Sequence, residues 1–182
     1  MLLPANFLHP VFAYLINKWK PQFSLPALLV GSIIPDVEVI PIFYLTDGEI
    51  DRLIFHSIIG SITLGTILSV AIVMFVYPRF VSLIFRIDIN DIKKKCRFST
   101  TLIGACMIGN LSHLLIDSTS HEYNPLFYPI FSESVNIFRI SNEIIFDNLV
   151  INLVLATIFL IIVITSIRKG VKGFWKKMLV GQ

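Results

Sequence analysis

Histidine, aspartate and histidine recur every fourth residue at His113, Asp117 and His121, inside the stretch Gly109 to Pro125 that reads GNLSHLLIDSTSHEYNP. On a helix this spacing sets the three side chains on nearly one face, each about one turn beyond the last. An imidazole and a carboxylate at i and i+4 can close on one hard-to-borderline cation such as zinc or manganese. The same spacing also suits a hydrogen-bonded polar seam between packed helices. Other residues have to decide between the two.

The chain has four histidines, His9, His56, His113 and His121. Beside them stand the carboxylates embedded in apolar sequence, Asp36, Glu38 and Asp117. Burying such groups is costly unless they are compensated, and a metal ion compensates several at once. The candidate ligands are therefore His9, Asp36, His56, His113, Asp117 and His121. Simpler roles exist for some: His9 before Pro10 suits a helix start, Asp36 after Pro35 a helix cap, and His56-Ser57 a polar helix terminus. Glu38 cannot share a helical face with Asp36, so it belongs to an extended turn or supports a ligand from behind. Either Asp36 or Glu38, if not itself a ligand, is the candidate general base. A phosphate-binding glycine loop, a serine nucleophile elbow and a plausible Cys-His pair are all missing from the sequence.

The elements that must position these residues are membrane spans. With 182 residues, 55% hydrophobic and 15% charged, and a mean hydropathy of +0.79, the chain has the bilayer as its solvent. One integral membrane domain over residues 1–182 is expected. Met1 to Lys20 reads as a short or half-inserted helix that stays in the mature protein. Leu25 to Leu45 is long enough to cross but carries Gly31, Pro35, Asp36, Glu38 and Pro41, which predicts a helix broken at Pro35-Asp36 and facing protein or a wet cavity. Leu53 to Tyr77 is the next span, and Arg79 to Arg97 reads as a basic interfacial helix. Phe98 to Ile116 then delivers the ladder at its far end. A polar loop from Asp117 to Asp147 interleaves Tyr123, Phe127, Tyr128, Phe131 and Phe138, as at a headgroup boundary. Leu149 to Ile167 is a plain span, with a basic tail from Arg168 to Lys177. The fold class is an all-α polytopic bundle of four to five spans. Cys96 and Cys106 would lie roughly 15 Å apart along a helix, too far for a disulfide.

Charge sets the expected topology. Of fifteen lysines and arginines, thirteen fall on one side of this arrangement, and only Arg52 and Arg139 on the other. The positive-inside rule makes the basic side and the carboxyl terminus cytoplasmic. The histidines and buried carboxylates then come out toward the extracytoplasmic face. The basic segments flank spans, so their expected partners are anionic lipid headgroups and not nucleic acid.

The ordered motifs resemble a known family. His9-Pro10, then GSIIPDVE, then FHS, then HLLIDSTSH followed by proline is similar to the bacterial and archaeal membrane-bound metal-dependent hydrolases, which include LexA-regulated inner-membrane proteins. The resemblance runs from His9 to about Pro129. More distantly, the order His, Asp, His, His-x-x-x-Asp is similar to zinc-dependent phospholipases C and related single-strand nucleases. The resemblance implies one to three zinc ions, or manganese or another divalent metal. It implies that Asp36, His56, His113 and Asp117 hold one ion and that Asp117 bridges to a second bound by His9, with His121 at a further site. The soluble phospholipases place more His and Glu ligands in a later helix, where this chain offers only Glu143 and Asp147.

The expected function is a metal-dependent hydrolase acting on a phosphoester of a lipid or lipid-linked substrate near the extracytoplasmic face. The alternatives are a non-enzymatic membrane protein with a structural metal site and, third, a metal or ion transporter. Against transport, the embedded polar residues cluster near one face and do not continue across.

Overall fold

A computed structural model describes residues 8–137, 141, 143–168 and 173–181. Phe138, Arg139, Lys169 and Lys172, used above in the aromatic loop and the charge count, lie outside the described residues. The described chain is helical and contains no strand. Four stretches are long and apolar enough to cross a membrane, so the fold is an all-α polytopic bundle.

Helix α1 (Pro10–Trp19) has proline in its first turn, where a missing N–H costs nothing, and the side chain of His9 at its N-cap does not cap it. At ten residues it is too short to span. Helix α2 (Leu25–Gly31) starts at Ser24, whose hydroxyl accepts from the Ala27 N–H. A 3₁₀ turn (Ile34–Glu38) separates it from α3 (Val39–Leu45). The first span is thus broken at Pro35-Asp36, where proline cannot donate and the chain tightens. That break turns Asp36 and Glu38 into the bundle.

Helix α4 (Ile58–Phe85) departs from the expected bounds at both ends. It begins five residues later than Leu53 because the N–H groups of Leu53, Phe55 and His56 all donate to the Glu38 carboxylate, which keeps them out of a helical ladder. It continues past Tyr77 through Pro78, following a π-helical turn at Ile72–Val76, with the Arg79 guanidinium donating to the Phe75 carbonyl at 2.8 Å. The single interfacial helix expected over Arg79 to Arg97 is therefore two pieces. Arg86, at φ 53°, ends α4, and α5 (Ile89–Lys95) restarts under an Asp88 cap.

Helix α6 (Thr100–Ser120) is capped by Ser99 and carries the ladder on its last turns. Helix α7 (Ile144–Arg168) starts five residues before the expected Leu149 and shows most of its apolar surface to the surroundings, with Leu149, Leu153, Leu160 and Ile161 all exposed. That is the pattern of a helix whose outer face meets lipid. The basic tail is also more than a tail. Helix α8 (Phe174–Leu179) folds back, with Tyr14 and Tyr77 hydroxyls donating to the Met178 and Leu179 carbonyls at 2.6 Å each, and Val180 enters the main core. Cys96 and Cys106 are both free and buried, and burial pushes the Cys96 thiol up to about 12.

Helices α2 and α6 approach closely through glycine. A Cβ on Gly109 would lie 2.6 Å from the Leu28 carbonyl oxygen, and one on Gly31 would lie 2.4 Å from that of Cys106. Small residues at such crossings let backbones meet in a membrane, where packing drives helix association. Gly109→Val should push the helices apart at a cost of about 1–3 kcal/mol or more. A thermal melt in detergent checks this: the midpoint should fall well below that of a Gly104→Ala control, whose added Cβ meets only a side-chain carbon of Phe23 at 3.8 Å.

Candidate metal centre

The break in the first span, the non-helical residues before α4 and the end of α6 meet at one end of the bundle, opposite the lysines of α1, α5 and α8. His56 and His113 are the anchors. His113 Nδ1 lies 2.9 Å from the Ser32 carbonyl oxygen, which can only accept, so the proton sits on Nδ1 and Nε2 presents a lone pair. His56 Nδ1 lies 2.9 Å from Glu38 Oε1 and is oriented in the same way. Partners of this kind behind an imidazole are what fix its tautomer in metal sites.

Both Nε2 atoms point at carboxylates. His113 Nε2 is 3.3 Å from Asp117 Oδ2 and 3.5 Å from Asp36 Oδ1, and His56 Nε2 is 3.4 Å from Asp117 Oδ2 and 3.9 Å from Asp36 Oδ1. Acceptors therefore face acceptors. His56 Nε2, His113 Nε2 and Asp117 Oδ2 are buried without a hydrogen-bond partner. Such an arrangement is unfavourable unless a cation lies among the atoms. Two groups have ligand atoms near enough together to hold an ion: His56, His113 and Asp117, and His9, Asp36 and His113.

The other oxygen of Asp117 serves a second set. His9 Nε2 is 3.0 Å and His121 Nε2 3.4 Å from Asp117 Oδ1, and the rings of His9 and His113 stack at 4.1 Å. His121 is the C-cap of α6 and has extended backbone, so the helix ends one residue before it, yet its ring still reaches the ladder. Burial pushes the His121 imidazole down to about 3, so at neutral pH it is uncharged and able to ligate. The sign follows for stability. The unfolded imidazole titrates near 6.5, so in metal-free protein the fold should lose stability as pH falls from about 6.5 toward 3, when the unfolded state takes a proton that the folded one refuses. His121→Gln should flatten that slope in pH-dependent melts of chelator-treated protein.

All six sequence-derived candidate ligands thus lie in one cluster, with Asp117 at its centre. Glu38 faces the segment that precedes α4. Its oxygens accept from Leu53, Phe55 and His56 N–H groups and from the His56 ring, so it holds the 53–56 segment and aims His56. Asp36 is the more accessible carboxylate, with its side chain 29% exposed against 8% for Glu38. Glu143 and Asp147, the candidates for additional ligation, belong to neither group of ligand atoms among the described residues.

One residue that sequence reasoning passed over joins the cluster. Arg52 is 4% exposed, with Nε 3.4 Å from Asp117 Oδ2 and Nη2 3.3 Å from His121 Nε2. Its signal was there: it is one of two basic residues that break the charge asymmetry. The aromatic loop lies beside the site as expected. The Ile58 N–H at the start of α4 donates to the Leu126 carbonyl at 2.9 Å, Asn124 donates to the His121 carbonyl, and Phe127 stacks on Phe131.

A family model described as YdjM inner membrane protein matches residues 8–179. The chain belongs to that family. Its membership makes it an inner membrane protein, in agreement with the four spanning stretches. The match extends beyond the histidine motifs through the residues of α7 and α8. No curated protein and no solved structure matches the chain.

Proposed function

We propose that this family member is a metal-dependent hydrolase that acts on a phosphoester of a lipid or lipid-linked substrate near the extracytoplasmic face. The observation that carries the reading is the trio of His56 Nε2, His113 Nε2 and Asp117 Oδ2, which lie near enough together to hold one ion and leave a fourth position for water. His56 Nε2 and His113 Nε2 stand 3.4 and 3.3 Å from Asp117 Oδ2, close to the roughly 3.3–3.4 Å edge between nitrogen and oxygen ligands around zinc at about 2.0–2.1 Å. His9, His121 and the second oxygen of Asp117 would hold another ion, and manganese or another divalent metal would suit the same donors.

When bound, such an ion lowers the pKa of water and offsets charge on a phosphoryl group. The chain supplies the rest. Asp36, with access to the outside of the cluster, accepts a proton from the attacking water. Arg52 presents its guanidinium where the phosphoryl oxygens would gather, a geometry that charge-assisted hydrogen bonds favour. Glu38 and the Ser32 carbonyl keep both imidazoles aimed. The loop carrying Tyr123, Phe127, Tyr128 and Phe131 gives a rim suited to headgroup depth, where a lipid presents its polar end. Placing this end outside the cell follows from the basic residues at the other end, by the positive-inside rule.

A structural metal site is the second reading, favoured by the burial of His56, His113 and Asp117, which leaves a substrate little access to the ion. Turnover separates the two. Purified protein in mixed micelles of phospholipid and detergent should release phosphate or phosphorylated headgroup, and His56→Ala should reduce the rate by at least about a thousandfold while the helical circular dichroism persists. Wild type without turnover on lipid or polyprenyl phosphoesters, but with its metal retained, would leave the structural reading standing.

A further inference from the structure

At the basic end of the bundle, away from the metal centre, the last third of α7 meets the rest of the protein only in part, with Ile162 packed and Ser166 buried but Ile161 exposed. It leaves a cavity of about 560 Å³ between the end of α1, α8 and residues 158–166 of α7. Its volume is within the range of pockets that take small ligands, roughly 300–1,000 Å³. Its wall on the α7 side is Ile158, Ile161 and Ile162, and its rim carries Lys18, Lys95 and Lys177.

The three lysines come from three different elements, the last turn of α1, the end of α5 and the middle of α8. None of them is in an ion pair among the described residues. Their neighbours behave differently: Lys176 pairs with Asp91 at 2.7 Å and Lys94 with the same carboxylate at 3.5 Å. Three lysines around one opening, with no acid among the residues that line it, favour an anion there. The isoleucine wall continues from the lysines toward the middle of the span, so whatever fills the cavity is anionic at one end and apolar along its length.

We infer that this groove is a binding site for one anionic glycerophospholipid, its phosphate held by Lys18, Lys95 and Lys177 and an acyl chain lying along Ile158, Ile161 and Ile162. Charge and depth together select that occupant. A lysine near a membrane surface favours anionic lipid by about fivefold, so three give a preference on the order of a hundredfold over a zwitterionic lipid. An acyl chain would also fill the cavity that side chains of α1, α7 and α8 leave between them. The inference is independent of the metal centre, which sits at the other end.

Native mass spectrometry of delipidated full-length protein, titrated with phosphatidylglycerol or phosphatidylcholine in detergent, tests it. Wild type should bind one phosphatidylglycerol about a hundredfold more tightly than phosphatidylcholine. The triple variant Lys18→Gln, Lys95→Gln, Lys177→Gln should lose that preference, whereas Lys93→Gln, Lys94→Gln, Arg97→Gln, which removes the same charge from exposed positions outside the groove, should keep it. Ile161→Trp, with all lysines present, should weaken lipid binding by filling the apolar wall. Equal loss in both triple variants, equal affinity for the two lipids, displacement of the lipid by millimolar inorganic phosphate alone, or a dimer occupying the groove in place of lipid would each overturn the inference.

Discussion

Asp117→Asn should lose divalent metal by at least about a hundredfold in affinity, because the two oxygens of Asp117 face separate pairs of histidines, His56 and His113 on one side and His9 and His121 on the other. A partner behind a ligand is worth 10–100-fold in metal affinity, and a shared ligand should exceed that. The change should also be felt in the metal-free fold. Asp117 is 1% exposed and pairs with His9 at 3.0 Å and Arg52 at 3.4 Å. Asparagine leaves the buried guanidinium with only Asp51, at 3.5 Å, as a countercharge, and breaking a buried pair from one side costs up to about 3–5 kcal/mol. Isothermal titration with zinc and a melt of the chelator-treated protein read the two effects separately. Glu38→Gln is the informative contrast: it keeps every direct donor and should weaken metal binding only within the 10–100-fold range.

The second large effect concerns Arg52. If the guanidinium neutralises phosphoryl oxygens during hydrolysis, Arg52→Gln should lower kcat by about 10²–10³-fold, the scale for losing one preorganised donor to developing charge. Metal content should stay near that of wild type, since arginine is not a ligand. Arg52→Lys should restore part of the rate, because it keeps the charge and loses the fork. An unchanged rate in Arg52→Gln would make Arg52 a structural partner of Asp117 and nothing more.

Much of this site was legible in the sequence, for a definite reason. Histidines and carboxylates are rare inside apolar segments, so each one in this chain stood out, and the positive-inside pattern placed them at one depth before any contact was known. The break at Pro35-Asp36 was equally plain, because proline and two acids cannot continue a lipid-facing helix. What remained hidden depends on contacts between distant residues. Glu38 draws the 53–56 backbone out of helix with three N–H donors, and periodicity cannot anticipate a side chain that competes with the ladder of another segment. Pro78 looked like the end of a span, but it sits in the first turn of the helical segment that follows the π turn, where a missing N–H costs little. Arg52 looked like an ordinary loop charge until the fold buried it against Asp117. The tail after Arg168 read as a basic segment at the lipid headgroups, whereas two tyrosine hydroxyls from α1 and α4 tie its backbone into the core.

The central claim is that acceptor atoms converge on Asp117 because a metal ion belongs among them. Metal analysis of wild-type protein, extracted and purified without chelator, tests this most directly. It should show at least one zinc, manganese or other divalent transition-metal ion per chain, and Asp117→Asn prepared in parallel should show almost none. A wild-type protein that carries no stoichiometric metal and takes up none when zinc or manganese is added back would contradict it.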